Sequence, residues 1–195
     1  MSTQLWIAFL TYAVATAYTP GPNNIISLNT TTKYGFRKSN SLRIGIGVGF
    51  TVIMILTNGL AFAIGTTIPG IVNYLKYIGA AYILFLAFKL LVSKPLVNED
   101  AKIPKFWTGF FLQFMNIKVI LYGFTAVSSF FLPYYSSLSD LLWFCGILIL
   151  NSQIAIWVWG VLGYSLRKFI NKHNLIFNII MALLLIESAI SIVLM

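Results

Sequence analysis

Runs of roughly 20 apolar residues, divided by short connections that hold nearly all of the cations, constrain this chain more than any other feature. At 1.5 Å of rise per residue, about 20 helical residues cross a hydrocarbon core about 30 Å thick. In that core a backbone has to satisfy its own hydrogen bonds, so such runs become helices. Breaking the sequence at charge, proline and polar clusters predicts six of them, at about 3–31, 41–66, 71–93, 106–131, 139–163 and 174–194. The expected fold class is all-α: a polytopic membrane protein, a single transmembrane domain over 1–195 with no soluble domain between spans. Only 9% of residues are charged, against roughly 25% in a water-soluble domain, which leaves too little polar surface for water.

The cations set orientation. Lys33, Arg37, Lys38 and Arg43 lie between the first two spans, Lys89, Lys94, Lys102 and Lys105 around the third connection, and Arg167, Lys168 and Lys172 in the fifth. The connection near Pro69 and that from Pro133 to Asp140 have none, so the positive-inside rule puts both termini outside and connections one, three and five in the cytoplasm. Gathered this way, the net charge of +9 is a topology signal, and no nucleic-acid partner is expected. Met1 to Gln4 lack the basic start of a cleavable signal peptide, so the first span is expected to stay in the protein. Lys76 lies near the outer end of the third span, where its stem can snorkel to the headgroups.

Two spans carry breaks. Thr19-Pro20-Gly21-Pro22-Asn23-Asn24 interrupts the first, where two prolines and a glycine remove backbone donors and free carbonyls. Gln113-Phe114-Met115-Asn116-Ile117-Lys118 interrupts the fourth. Freed backbone groups at membrane depth need cover from protein or a polar cavity. The breaks occupy equivalent spans of two three-helix halves, about 1–95 and 104–195. With an odd number of spans each, the halves run oppositely, an inverted repeat that sets a transporter's binding site at the midplane. Lys118, too deep to snorkel, has to face the interior and find a partner or an anion. Glu187 is the only acidic residue well inside an expected span, a candidate partner for Lys118 or carrier of a coupling proton.

Asn58, Asn151, Ser152 and Gln153 read individually as interhelical glue, and the Gly45/Gly49 spacing as a close helix approach. The lone Cys145 reads as a small core residue.

These motifs are familiar in combination. Thr19-Pro20-Gly21-Pro22-Asn23, then Gly35-Phe36-Arg37, then Gly45-x-Gly47-x-Gly49, resemble the N-terminal signature of the LysE/RhtB family of amino-acid exporters. Gly79-Ala80-Ala81-Tyr82-Ile83-Leu84 with Lys89 resembles that family's third-helix motif. Phe106-Trp107, the run from Phe111 to Lys118 and Leu121-Tyr122-Gly123 look like its cysteine and O-acetylserine exporting branch. Many members carry Pro between this Asn and Lys; Ile117 stands there here, which implies a milder break.

The resemblance implies an inner-membrane exporter of a small neutral amino acid, driven by the proton motive force. The residues suggest how it works. A zwitterion needs a cation for its carboxylate, supplied by Lys118, and acceptors for its ammonium, supplied by the freed carbonyls with Asn23 and Asn24. Pro20, Gly21, Pro22, Asn23, Asn24, Gln113, Asn116 and Lys118 are the expected substrate-binding residues, and rocking of one half against the other the expected motion. No cofactor is expected, and a homo-oligomer is left open. A metal-ion exporter would need several intramembrane carboxylates, His or Cys, where this chain offers Glu187, a solitary connection histidine, His173, and Cys145 with no obvious partner. An intramembrane enzyme would need a nucleophile with its base or a metal motif at helical spacing, and no span contains one.

Overall fold

The computed structural model describes residues 3–64, positions 77, 80, 81, 83–85, 87, 88, 91 and 92, and residues 104–194. Among these it is helical and contains no strand. The expected third span at 71–93, the second connection, Lys76, and most of the third connection lie largely outside the described residues.

The first expected span is two helices. α1 (Thr3–Tyr18) is apolar, and α2 (Pro22–Tyr34) starts after Gly21, whose extended backbone (φ −157°, ψ 176°) breaks the helical path. Pro22 is suited to this start, because the first residue of a helix has no use for an amide hydrogen. α2 is nonetheless buried along most of its length, with Asn23, Asn24, Ser27, Thr30, Thr31 and Thr32 enclosed by protein. A helix this polar would be costly against lipid, and the fold places it inside the bundle.

α3 (Asn40–Ile64) and α6 (Leu138–Ser165) follow the expected spans closely. Both are long and apolar enough to cross a membrane, over Asn40–Ala63 and Leu138–Ser165. α6 has apolar residues on opposite faces: Phe144, Leu148 and Ile156 are buried while Leu142, Trp143 and Leu150 are exposed. That distribution suits a helix with protein on one side and lipid on the other.

The fourth expected span is also divided. α4 (Phe106–Met115) and α5 (Ile117–Ala126), extended by a π-helical turn at Val127–Phe131, meet at Asn116 with a 61° bend. With Ile117 after Asn116 the break is a sharp one. Asn116 leaves the helical region (φ −88°, ψ 87°), its amide folds back on the Gln113 carbonyl at 3.2 Å, and its own carbonyl starts α5 by accepting from Val119 at 2.9 Å. The bend is made by the asparagine and needs no proline. The short α7 (Arg167–Lys172) then leads to α8 (Asn174–Leu194).

Glycines set the tightest packing. A Cβ on Gly45 would lie 2.0 Å from the Phe106 carbonyl oxygen, and one on Gly109 2.4 Å from that of Leu42, so α3 and α4 approach backbone to backbone. This is the close approach that the Gly45/Gly49 spacing predicts, with Gly109 as its counterpart on α4. α2 lies along α6 in the same way, the Leu28 carbonyl oxygen 2.4 Å from a Cβ on Gly163.

The core has two main parts. One joins α1, α3, α5 and α6 through Phe9, Phe50, Met54, Tyr122, Phe131 and Phe144, with the Phe9 and Phe144 rings stacked at 4.0 Å. Cys145 is buried there. The other joins α2 and α8 to Ala80, Ile83 and Ala87.

Candidate functional site

The ends of α1 and α4 converge on the start of α2. Asn23 Nδ2 donates to Gln113 Oε1 at 2.7 Å, and Gln113 Nε2 returns a hydrogen bond to Asn23 Oδ1 at 2.9 Å. Asn116 Nδ2 reaches the same Asn23 oxygen at 3.0 Å, and Gln113 Nε2 also bonds the Gly109 carbonyl at 3.0 Å. All three side chains are buried. Asn116 Oδ1 is buried and has no hydrogen-bond partner.

Side chains meet the carbonyls of Ala17, Tyr18, Thr19 and Pro20 at the α1 break. Asn24 Nδ2 donates to the carbonyls of Ala17 (2.8 Å) and Thr19 (3.0 Å), and Trp159 Nε1 to that of Tyr18 at 3.2 Å. Lys118 Nζ donates to Thr19 at 3.1 Å and to Pro20 at 3.4 Å. The aligned peptide dipoles of α1 leave partial negative charge at this end, which favours a cation there. Gly21 gives the lysine room, since a Cβ on it would stand 3.1 Å from both Cδ and Nζ of Lys118. Glu187 lies on α8.

Beside these groups is a cavity with about 40 Å³ open to water centres, room for roughly three waters. Gly21, Asn116 and Lys118 form a polar wall, and Phe50, Val119 and Ile156 an apolar one. Pro22, Asn23 and Asn24 also border it. Of the expected site residues, Pro20, Gly21, Pro22, Asn23, Asn24, Gln113, Asn116 and Lys118 all fall in this one cluster.

Their pairing differs from the expected one. The freed carbonyls of Thr19 and Pro20 hold the Lys118 ammonium, and the Asn24 amide nitrogen caps the end of α1. The polar cluster is closed by side chains of neighbouring helices except at Asn116 Oδ1.

Tyr122 and Ser152 also border the cavity. Tyr122 stacks on Tyr12 at 5.8 Å, and its hydroxyl donates to the Ala13 carbonyl at 3.4 Å. Leu121-Tyr122-Gly123 was available as a motif, but nothing in its spacing aims the phenol inward. The glue role holds for Asn151, which donates to the Ala13 carbonyl at 2.8 Å, and for Gln153, which donates to that of Gly47 at 2.9 Å.

Arg43 departs furthest from its reading as a cation of the first connection. It is fully buried in the first turn of α3, hydrogen-bonded to the Thr31 hydroxyl and, at 2.6 Å, to the Phe36 carbonyl. Its guanidinium lies over the rings of Phe36 (4.1 Å) and Trp157 (4.9 Å). The delocalised charge is weakly hydrated, and aromatic faces with backbone acceptors replace the water it loses. Among the described residues, no three of His, Cys, Asp and Glu are grouped so as to hold a metal ion.

The family model described as LysE type translocator matches residues 14–195. A protein of Salmonella typhimurium (strain LT2) named cysteine/O-acetylserine efflux protein is 42% identical over 198 residues, covering 98% of this chain and 99% of the relative. A protein of the same name in Escherichia coli (strain K12) is 39% identical over the same shares of both chains. No solved structure matches the chain significantly.

Proposed function

The chain belongs to the family of LysE type translocators, and on that premise we propose that it exports cysteine, O-acetylserine or a similarly small neutral amino acid by alternating access. The proton motive force is its proposed energy source. The proposed setting is the bacterial inner membrane, crossed by six helices as two inverted halves of one domain, with both termini periplasmic and Glu187 as the proton-coupling candidate. Translocation, rather than catalysis, is its work.

The observation that carries this reading is the meeting of two broken helices at one buried polar cluster beside Lys118. Helix breaks expose backbone dipoles of both signs at membrane depth: the carbonyl end of α1 suits an ammonium, and the start of α2 with Lys118 suits a carboxylate. The cavity's small size and its apolar wall of Phe50, Val119 and Ile156 favour a short, uncharged side chain. Two breaks brought together from equivalent places in the sequence also favour the inverted-repeat arrangement.

The test is efflux from cells preloaded with labelled cysteine, O-acetylserine, lysine or leucine, with and without the gene and with and without an uncoupler. Faster loss of the small neutral amino acids, abolished by the uncoupler, is expected. Gene-dependent loss of lysine or leucine alone would overturn the substrate class, and uncoupler-insensitive export against a concentration gradient would overturn the energy source.

A further inference from the structure

We propose that the Lys118 ammonium is the resident occupant of the transported amino acid's own ammonium subsite, so that substrate binding exchanges one ammonium for another. This rests on the reading that the cavity takes an amino-acid zwitterion.

The end of α1 is capped by three side chains of different mobility. Asn24 is short and held at the head of α2, and Trp159 is a rigid ring on α6. Lys118 is a flexible four-carbon stem that meets the Thr19 and Pro20 carbonyls through its ammonium. Lys118 is therefore the donor that can swing away at low cost, freeing the Pro20 carbonyl and leaving that of Thr19 to Asn24 alone. An arriving zwitterion supplies both halves of the exchange. Its carboxylate draws Nζ off the carbonyls, and its ammonium takes the vacated place.

An ammonium has three hydrogens to donate. The Thr19 and Pro20 carbonyls account for two, and the unpartnered Oδ1 of Asn116, bordering the same cavity, is the third acceptor. Lys118 reaches two of these three oxygens by hydrogen bond; the substrate, free of any tether, sits over all three. That difference favours exchange in the substrate's direction.

Two properties follow. A ligand needs both charges, because an amine alone cannot draw Lys118 away and an acid alone leaves the Pro20 carbonyl bare and that of Thr19 with Asn24 only. The empty carrier also holds its own cation, so its return to the inward side needs no metal ion at this site.

The test uses the purified full-length Lys118→Ala variant in detergent. Thermal unfolding is followed in methylammonium chloride and, at equal concentration, in tetramethylammonium chloride, which has the same charge and no N–H donor. The variant's Tm is expected to rise saturably, by about 2–4 °C, in methylammonium only, and wild type to show no such difference. Equal shifts in the two salts, or the same methylammonium shift in wild type, would overturn the proposal. If the variant does not fold, wild type is titrated with cysteine, cysteamine and N-acetylcysteine. Stabilisation by cysteine alone supports the exchange, and equal stabilisation by cysteamine overturns it. Cysteine export together with salt-indifferent Lys118→Ala sinks the exchange and leaves the exporter standing, whereas methylammonium rescue without amino-acid efflux from cells does the reverse.

Discussion

Asn23 and Gln113 face each other amide to amide, each donating to the other, at 2.7 and 2.9 Å. They join the head of α2 to the last turn of α4, so the two helix breaks are held in register by one reciprocal pair. Gln113→Ala is expected to leave a buried amide short of its partner, costing about 1–3 kcal/mol of stability. Asn23→Ala should cost a similar amount. The double variant should then lose less than the sum of the two, measured by unfolding of the purified proteins in detergent. Additive losses would show that the pair is not coupled.

Lys118→Ala is expected to abolish efflux while the protein still inserts, since the removed charge is one the bilayer disfavours. Immunoblotting of membranes separates loss of transport from loss of protein, and wild-type export by the variant would remove Lys118 from the site.

Gly21→Ala tests the same contact from the other side. The new methyl would stand 3.1 Å from the Lys118 ammonium, tighter than ordinary van der Waals contact, and the flexible stem is the part that gives way. Stability is expected to change by less than about 1 kcal/mol, because the extended backbone at this position accepts any residue. Export should fall by about tenfold, the equivalent of roughly 1.4 kcal/mol, as Nζ is pushed off its carbonyls. Full activity with an alanine here would mean that the position of Nζ does not matter.

Gly45→Ala is expected to behave oppositely, failing at folding. Its Cβ would meet the backbone of Phe106 at 2.0 Å, where no side chain can rotate away, so α3 and α4 have to separate. A sharp fall in folded, monodisperse protein is the expected readout, and Gly109→Ala should reproduce it.

Arg43→Lys separates two roles of one charge. Topology, read by cysteine labelling at the connections, should be unchanged because the positive charge is kept. The fork of donors and the stacking on Phe36 and Trp157 are lost, and a fall in stability of about 1–2 kcal/mol is expected. A variant as stable as wild type would reduce Arg43 to an orientation signal.

Helix positions were legible in the sequence where hydropathy and length agree, as in α3 and α6, and the breaks where prolines or polar clusters interrupt an apolar run. The expected site residues assemble around the cavity for the same reason: polar groups at membrane depth have few places to go. What escaped was pairing. Lys118 has one sequence position but several reachable acceptors, and only the crossing of α5 against the end of α1 selects Thr19 and Pro20. Arg43 escaped because a cation beside a span boundary looks the same whether it faces water or is wrapped by Phe36 and Trp157. The angle at Asn116 was not legible, because an asparagine makes such a bend through its own backbone, which spacing does not display.

The glycine contacts bear on how such a protein can move. α3 and α4 belong to different halves of the expected repeat, yet meet backbone to backbone through Gly45 and Gly109, and α2 meets α6 across the same boundary through Gly163. Interlocked surfaces of this kind turn together or not at all. The hinge line of transport should then run between these cross-half pairs, cutting across the repeat instead of following its seam, and crosslinks joining α3 to α4 should leave export intact.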